Sequence, residues 1–114
     1  MNHSSEMVKA AYAALSDKKG EDIRIIDIRN VSVMADYFII ASGSNSNQVQ
    51  AMVDNVEEEL GSTCRQVEGY QSANWILMDY GDIIVHVFDR DNRLFYDLER
   101  IWRDGKTLDV SELK

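Results

Sequence analysis

The hydrophobic pattern divides the chain into short regular elements. From Ser4 to about Lys18, Met7, Ala10, Ala11, Ala14 and Leu15 recur at helical spacing. Ser4 or Ser5 offers a capping oxygen at the start, and Gly20 supplies a stop. Ile23, Ile25, Ile26 and Ile28 then read as a strand, followed by a connection of mixed polarity from Arg29 to Ala35. The run Asp36-Tyr37-Phe38-Ile39-Ile40-Ala41-Ser42-Gly43 is β-branched and aromatic and ends on glycine, which suits a buried strand. Ser44, Asn45 and Ser46 offer N-cap oxygens to a second helix, whose stripe is Val49, Met52, Val53, Val56 and Leu60.

A weaker strand is expected around Cys64 to Val67, before Glu68-Gly69. Two strong runs follow, Trp75 to Tyr80 and Asp82 to Phe88, and then a closing helix marked by Leu94, Phe95, Leu98, Ile101 and Trp102 and ended by Gly105. Residues 1–105 read as a single domain, and 106–114 as a short polar tail expected to fray. Helices interspersed with about five strands, some joined by a helix and some by a tight turn, predict an α/β fold with a mixed sheet and helices packed on it.

The two strong runs predict a hairpin. With Tyr80 and Gly81 at the centre of a tight turn, the register pairs Asp79 with Asp82, Leu77 with Ile84 and Trp75 with His86. One face then carries Trp75, Leu77, Asp79, Asp82, Ile84 and His86. The other carries the aliphatic set Ile76, Met78, Ile83, Val85 and Val87, which is expected to meet the helices. An indole, an imidazole and two carboxylates around Leu and Ile have the character of a recognition surface. Carboxylates directly opposite one another destabilise a sheet, and a positive partner would offset that. The plainer alternative makes Asp79 and Asp82 ordinary turn residues, packs Trp75 under a loop and leaves His86 hydrogen-bonded within the sheet.

Composition narrows the chemistry. The 114 residues are 45% hydrophobic and 28% charged, an ordinary globular balance for one domain. Twelve Lys and Arg against twenty Asp and Glu give a formal charge of -8, which disfavours steering toward phosphate backbones and favours a basic partner. One cysteine, Cys64, and two histidines, His3 and His86, exclude an intramolecular disulfide and a Cys/His zinc cage within one chain. The N-terminus lacks a signal-peptide pattern and no apolar run is long enough to span a bilayer, so a cytoplasmic protein is expected.

Gly43-Ser44 between a strand and a helix invites a phosphate-binding reading, but neither G-x-G-x-x-G nor a P-loop lysine accompanies it. A nucleotidyltransferase would need two carboxylates for Mg²⁺ on the following strand, whereas the next acids, Asp54 and Glu57, fall on a helix. An enzyme built on Gly43-Ser44 with Asp36 or Asp54 is the rival reading. His86 as a general base would still lack a nucleophile, with Ser42 and Cys64 candidates only by default. The run Glu57-Glu58-Glu59 reads as a solvated helix face. No cofactor or metal is implied.

Several segments together resemble the ribosomal silencing factor family, also called iojap-like proteins. They are Ala35 to Gly43, Gln48-Val49-Gln50-Ala51 with Asp54 to Glu58, Glu68-Gly69, Trp75 to Phe88, and Phe95 to Trp102. The resemblance implies a nucleotidyltransferase-like fold without the catalytic carboxylates, a homodimer, and no enzymatic activity. It also implies binding to the large ribosomal subunit through ribosomal protein L-fourteen, which blocks the small subunit and represses translation; organellar relatives are linked to large-subunit assembly. Carried onto this chain, the partner-binding residues would be Trp75, Asp79, Gly81, Asp82 and His86 with Tyr96, and the register adds Leu77. The family's Thr-Ser-x-Arg-Gln becomes Ser44-Asn45-Ser46-Asn47-Gln48 here, which removes an arginine from the helix start.

Overall fold

The computed structural model describes residues 3–29, 35–61, 66–90 and 106–108. Two helices and six strands are seen among them: α1 (His3–Asp17), β1 (Glu21–Asp27), β2 (Tyr37–Gly43), α2 (Ser46–Leu60), β3 (Gln66–Glu68), β4 (Trp75–Asp79), β5 (Ile83–Asp89) and β6 (Lys106–Leu108). They form one sheet in the order β3-β4-β5-β2-β1-β6. The central pair β2–β5 is parallel and every other neighbour is antiparallel, so the sheet is mixed, as expected. The sixth strand was not expected. Residues 106–108, expected to fray, instead pair with β1, where Asp27 faces Lys106. The expected closing helix, with Tyr96 and Trp102, and also Cys64, lie outside the described residues.

Alternation along the strands makes two cores. Ile25, Tyr37, Ile39, Ala41, Ile76, Met78, Ile83, Val85 and Val87 meet the helices, where Met7, Val8, Ala11, Ala14 and Leu15 of α1 and Val49, Met52, Val53 and Val56 of α2 fill the layer. Val8, absent from the expected stripe, is fully buried, while Ala10 sits at its margin. The opposite face buries Ile26, Ile28, Ala35, Phe38, Ile40, Ile84 and Phe88, with Trp75 and Leu77 packed against them. Strands buried on both faces read as continuous apolar runs, which is why Tyr37 to Ala41 is so uniformly hydrophobic.

The helix ends are fixed by specific hydrogen bonds. At the end of α1, Gly20 N–H donates to Leu15 O (2.9 Å) and Lys19 N–H to Ser16 O (2.9 Å), a Schellman arrangement. The left-handed position of that motif is taken by Lys19, at φ 62°, rather than by the glycine that follows. At the start of α2, Asn45 is the N-cap and its side-chain oxygen accepts from Gln48 N–H (2.8 Å). Gln48 returns its own oxygen to Ser44 N–H (2.6 Å) and donates its amide to Lys19 O (2.9 Å). One glutamine thereby holds the residue ahead of the N-cap and ties the start of α2 to the end of α1.

The segment leading into β4 is pinned from both sides. Tyr70 donates its hydroxyl to Asp54 (2.9 Å), and Gln50 donates to Tyr70 O (2.9 Å), so the loop is held on α2. That hydrogen bond from the phenol to Asp54 is the main reason the Tyr70 pKa is raised. Gly69 has φ 82°, and a Cβ there would stand 2.2 Å from Trp75 O, so no side chain fits. This close approach sets where β4 begins.

Candidate functional site

The β4–β5 hairpin keeps the expected division of faces but not the expected register. Trp75 faces Phe88, Leu77 faces His86 and Asp79 faces Ile84. The loop is Gly81-Asp82 rather than Tyr80-Gly81: Tyr80 N–H donates to Ile83 O (3.0 Å), so Tyr80 remains in the ladder and its ring is buried. Gly81, at φ 84°, turns the chain, with Asp82 N–H reaching back to Tyr80 O (3.1 Å). Asp79 accepts from Gly81 N–H (2.8 Å), an Asx-type turn that gives this carboxylate a local role. A register displaced by two residues preserves which side chains share a face, because side-chain direction has a period of two.

His86 differs more from expectation. Only 4% of its surface is accessible, so it belongs to the buried part of the sheet and not to an open recognition surface. The cause is topological: β5 lies between β4 and β2, and His86 is flanked by Leu77 on one side and Ile40 on the other. Its Nδ1 accepts the indole N–H of Trp75 at 3.0 Å. The neutral imidazole must then carry its proton on Nε2, and that buried atom has no hydrogen-bond partner among the described residues. Burial pushes the imidazole pKa down to about 4, consistent with a neutral ring. Phe38 meets the imidazole edge-on at a centroid distance of 4.7 Å, and the Trp75 ring stacks on Phe88 at 5.2 Å. Phe88, which the expected register left without a partner on β4, completes the aromatic group.

Around this buried group lies an accessible rim. Trp75, Leu77, Asp79 and Gly81 are partly exposed and Asp82 is exposed. Pairing of β3 with β4 sets Glu68 beside Leu77 and Gln66 beside Asp79, so the edge strand adds a carboxylate and an amide to the same face. Both β3 residues are exposed. The rim is an indole and a leucine bordered by Glu68, Asp79 and Asp82. Tyr96, expected to join it, lies outside the described residues.

The sites of the rival enzyme reading do not converge. Asp36 N–H donates to Asp82 O (2.7 Å), beyond the end of β4, whereas Asp54 is bound to Tyr70, ahead of its start. Ser44, Asn45 and Ser46 line an open cavity of about 400 Å³ with Asp89 and Arg90, but Arg90 is engaged in a two-pronged ion pair with Glu21 (2.6 Å). Among the described residues no three His, Cys, Asp or Glu side chains gather as metal ligands, and no helix is long and apolar enough to cross a membrane.

The family description "ribosomal silencing factor during starvation" matches residues 1–114. The chain belongs to that family. It is 41% identical over 113 residues to the ribosomal silencing factor of Bacillus subtilis, covering 96% of this chain and 95% of that protein. A protein of Chromobacterium violaceum solved by crystallography superposes with a TM-score of 0.86 at 34% identity, covering 96% of this chain and 92% of that one. A mouse protein named for mitochondrial assembly of the ribosomal large subunit is 29% identical over 94 residues, covering 77% of this chain and 41% of its own length. Membership in the silencing-factor family makes this a regulatory protein rather than one named for a catalysed reaction.

Proposed function

We propose that this silencing factor represses translation by docking on the large ribosomal subunit through the basic ribosomal protein L-fourteen, where it blocks the small subunit. The observation that carries the docking surface is the rim on β4, where Trp75 and Leu77 stand accessible between Glu68, Asp79 and Asp82. An apolar strip bordered by acids fits a partner that presents an apolar side chain among lysines and arginines, and the formal charge of -8 favours the same encounter. Trp is the residue type most suited to anchor such a contact, combining large buried area with a single donor. In this reading the protein acts in the cytoplasm, without a cofactor, without catalysis and with little direct contact to nucleic acid.

Co-sedimentation with separated large subunits, small subunits and whole ribosomes tests this directly. The protein is expected with large subunits, and Trp75→Ala should weaken that association by more than about 2 kcal/mol. Association of Trp75→Ala at wild-type strength overturns the docking assignment. A homodimer belongs to the same proposal, and Trp75→Ala is expected to keep its oligomeric mass, which separates a ribosome contact from a dimer contact. The name of the mouse relative supports a second reading, assistance in large-subunit assembly. Cells lacking the protein would then accumulate immature large subunits during growth, whereas a silencing role predicts excess joined ribosomes on starvation.

A further inference from the structure

His86 has no place on the accessible rim, and its chemistry is not explained by the core it occupies. Its Nε2–H is buried and has no hydrogen-bond partner among the described residues, and leaving a polar group unsatisfied is unfavourable enough that an apolar side chain would serve packing better. What the imidazole supplies, and no aliphatic or phenyl ring can, is an acceptor at Nδ1 for the Trp75 indole. The ring that provides it is itself held: β5 is hydrogen-bonded on both sides, Phe38 meets the imidazole edge-on, and Phe88 lies parallel to it at 6.4 Å.

We propose that His86 is a positioning residue for docking: through Nδ1 it fixes the orientation in which the Trp75 indole is presented at the rim. The inference rests on the docking role of Trp75 proposed above. Trp75 opens β4 two residues after the left-handed Ala73, at φ 56°, and Asn74 O between them accepts from Asp89 N–H (3.1 Å), so the backbone beneath the indole is already fixed. The side-chain torsions remain, and the Trp75–His86 hydrogen bond, with the Phe88 stack, restrains them. An anchor ordered before binding avoids the entropy of ordering it on the partner, an effect of roughly tenfold in affinity for one large side chain.

The test compares His86→Phe, His86→Leu and His86→Asn with Trp75→Ala, using affinity for purified large ribosomal subunits and the indole ¹⁵N–¹H resonance of Trp75 in the free protein. Phe and Leu remove the acceptor while keeping an apolar ring or branch in the core; Asn can place an amide oxygen near the Nδ1 position. The acceptor-less variants are expected to fold, to shift the Trp75 indole resonance and to bind roughly tenfold more weakly, while His86→Asn stays within about threefold of wild type. If Trp75→Ala is weakened but folded His86→Phe or His86→Leu binds at wild-type strength, the positioning role is overturned and the docking surface stands. If the indole resonance is unmoved in those variants, the positioning role is likewise overturned. Wild-type binding by Trp75→Ala instead overturns the docking surface on which it depends.

Discussion

The two faces of the sheet are built from alternate residues of the same strands, yet they treat polarity differently. The helix-covered face is aliphatic at Ile39, Val85 and Met78 and takes its order from packing against Val8, Leu15, Met52 and Val53. The other face buries Phe38, Ile40 and Phe88 around an imidazole, then passes within one strand to partly exposed Trp75 and Leu77. The first face is suited to stability alone. The second leads from an enclosed imidazole to an accessible indole, a feature that stability does not require and recognition can use.

Substitutions on each face should separate these roles. The largest effect is expected from Ile39→Ala, which removes a fully buried side chain between the sheet and the helices and should cost about 4 kcal/mol of folding stability. Denaturant unfolding measures that cost, while docking by the folded fraction should be unchanged; a docking defect in folded protein would mean the two faces are not separable.

The second effect concerns pH. The buried His86 imidazole has its pKa lowered from 6.5 to about 4, so between those values the unfolded chain binds a proton that the native state does not. Above pH 6.5 the ring is neutral in both states and contributes nothing to the pH dependence. As pH falls from 6.5 toward 4, stability declines by about 3 kcal/mol, and below that the loss levels off. His86→Leu should lack this decline. Comparing unfolding of the two proteins across the window cancels the carboxylates they share; parallel curves would contradict the burial of His86.

Next comes Trp75→Ala, with a docking loss of more than about 2 kcal/mol and a smaller effect on folding than Ile39→Ala, since the indole is only partly buried. The smallest effect belongs to Asp82→Asn, in an exposed turn: folding stability should change by less than about 0.5 kcal/mol, while the association rate with large subunits and its salt dependence should both fall. An unchanged salt dependence would remove Asp82 from the contact.

The legible parts of this molecule are those governed by periodicity. The spacing of Val49, Met52, Val53 and Val56 gives α2 its buried stripe, and the apolar run from Tyr37 to Ala41 gives a strand covered on both sides. The aliphatic face of the hairpin was likewise readable, because alternation survives a register shift of two. The turn was not. Burial of Tyr80 in the helix-side core and the Asp79–Gly81 hydrogen bond move the loop to Gly81-Asp82, and neither is visible in a count of turn residues. The strand formed by residues 106–108 was missed because an edge strand of three residues is specified by its neighbour β1, not by its own composition.

For the candidate site, the sequence pointed to Trp75, Leu77, Asp79, Gly81, Asp82 and His86 with Tyr96; the first six lie on one hairpin, with His86 enclosed, and Tyr96 lies outside the described residues. It could not assign exposure, since a histidine on a face with two carboxylates carries no mark of depth. The sequence by itself determined the periodicities, the acidic balance and the resemblance that names the family, because these are properties of residue order. Only the tertiary structure decided that β5 runs between β2 and β4, and therefore that His86 is enclosed while Trp75, one strand nearer the edge, reaches solvent. The physical reason is that strand order is fixed by long-range pairing, which no local pattern encodes.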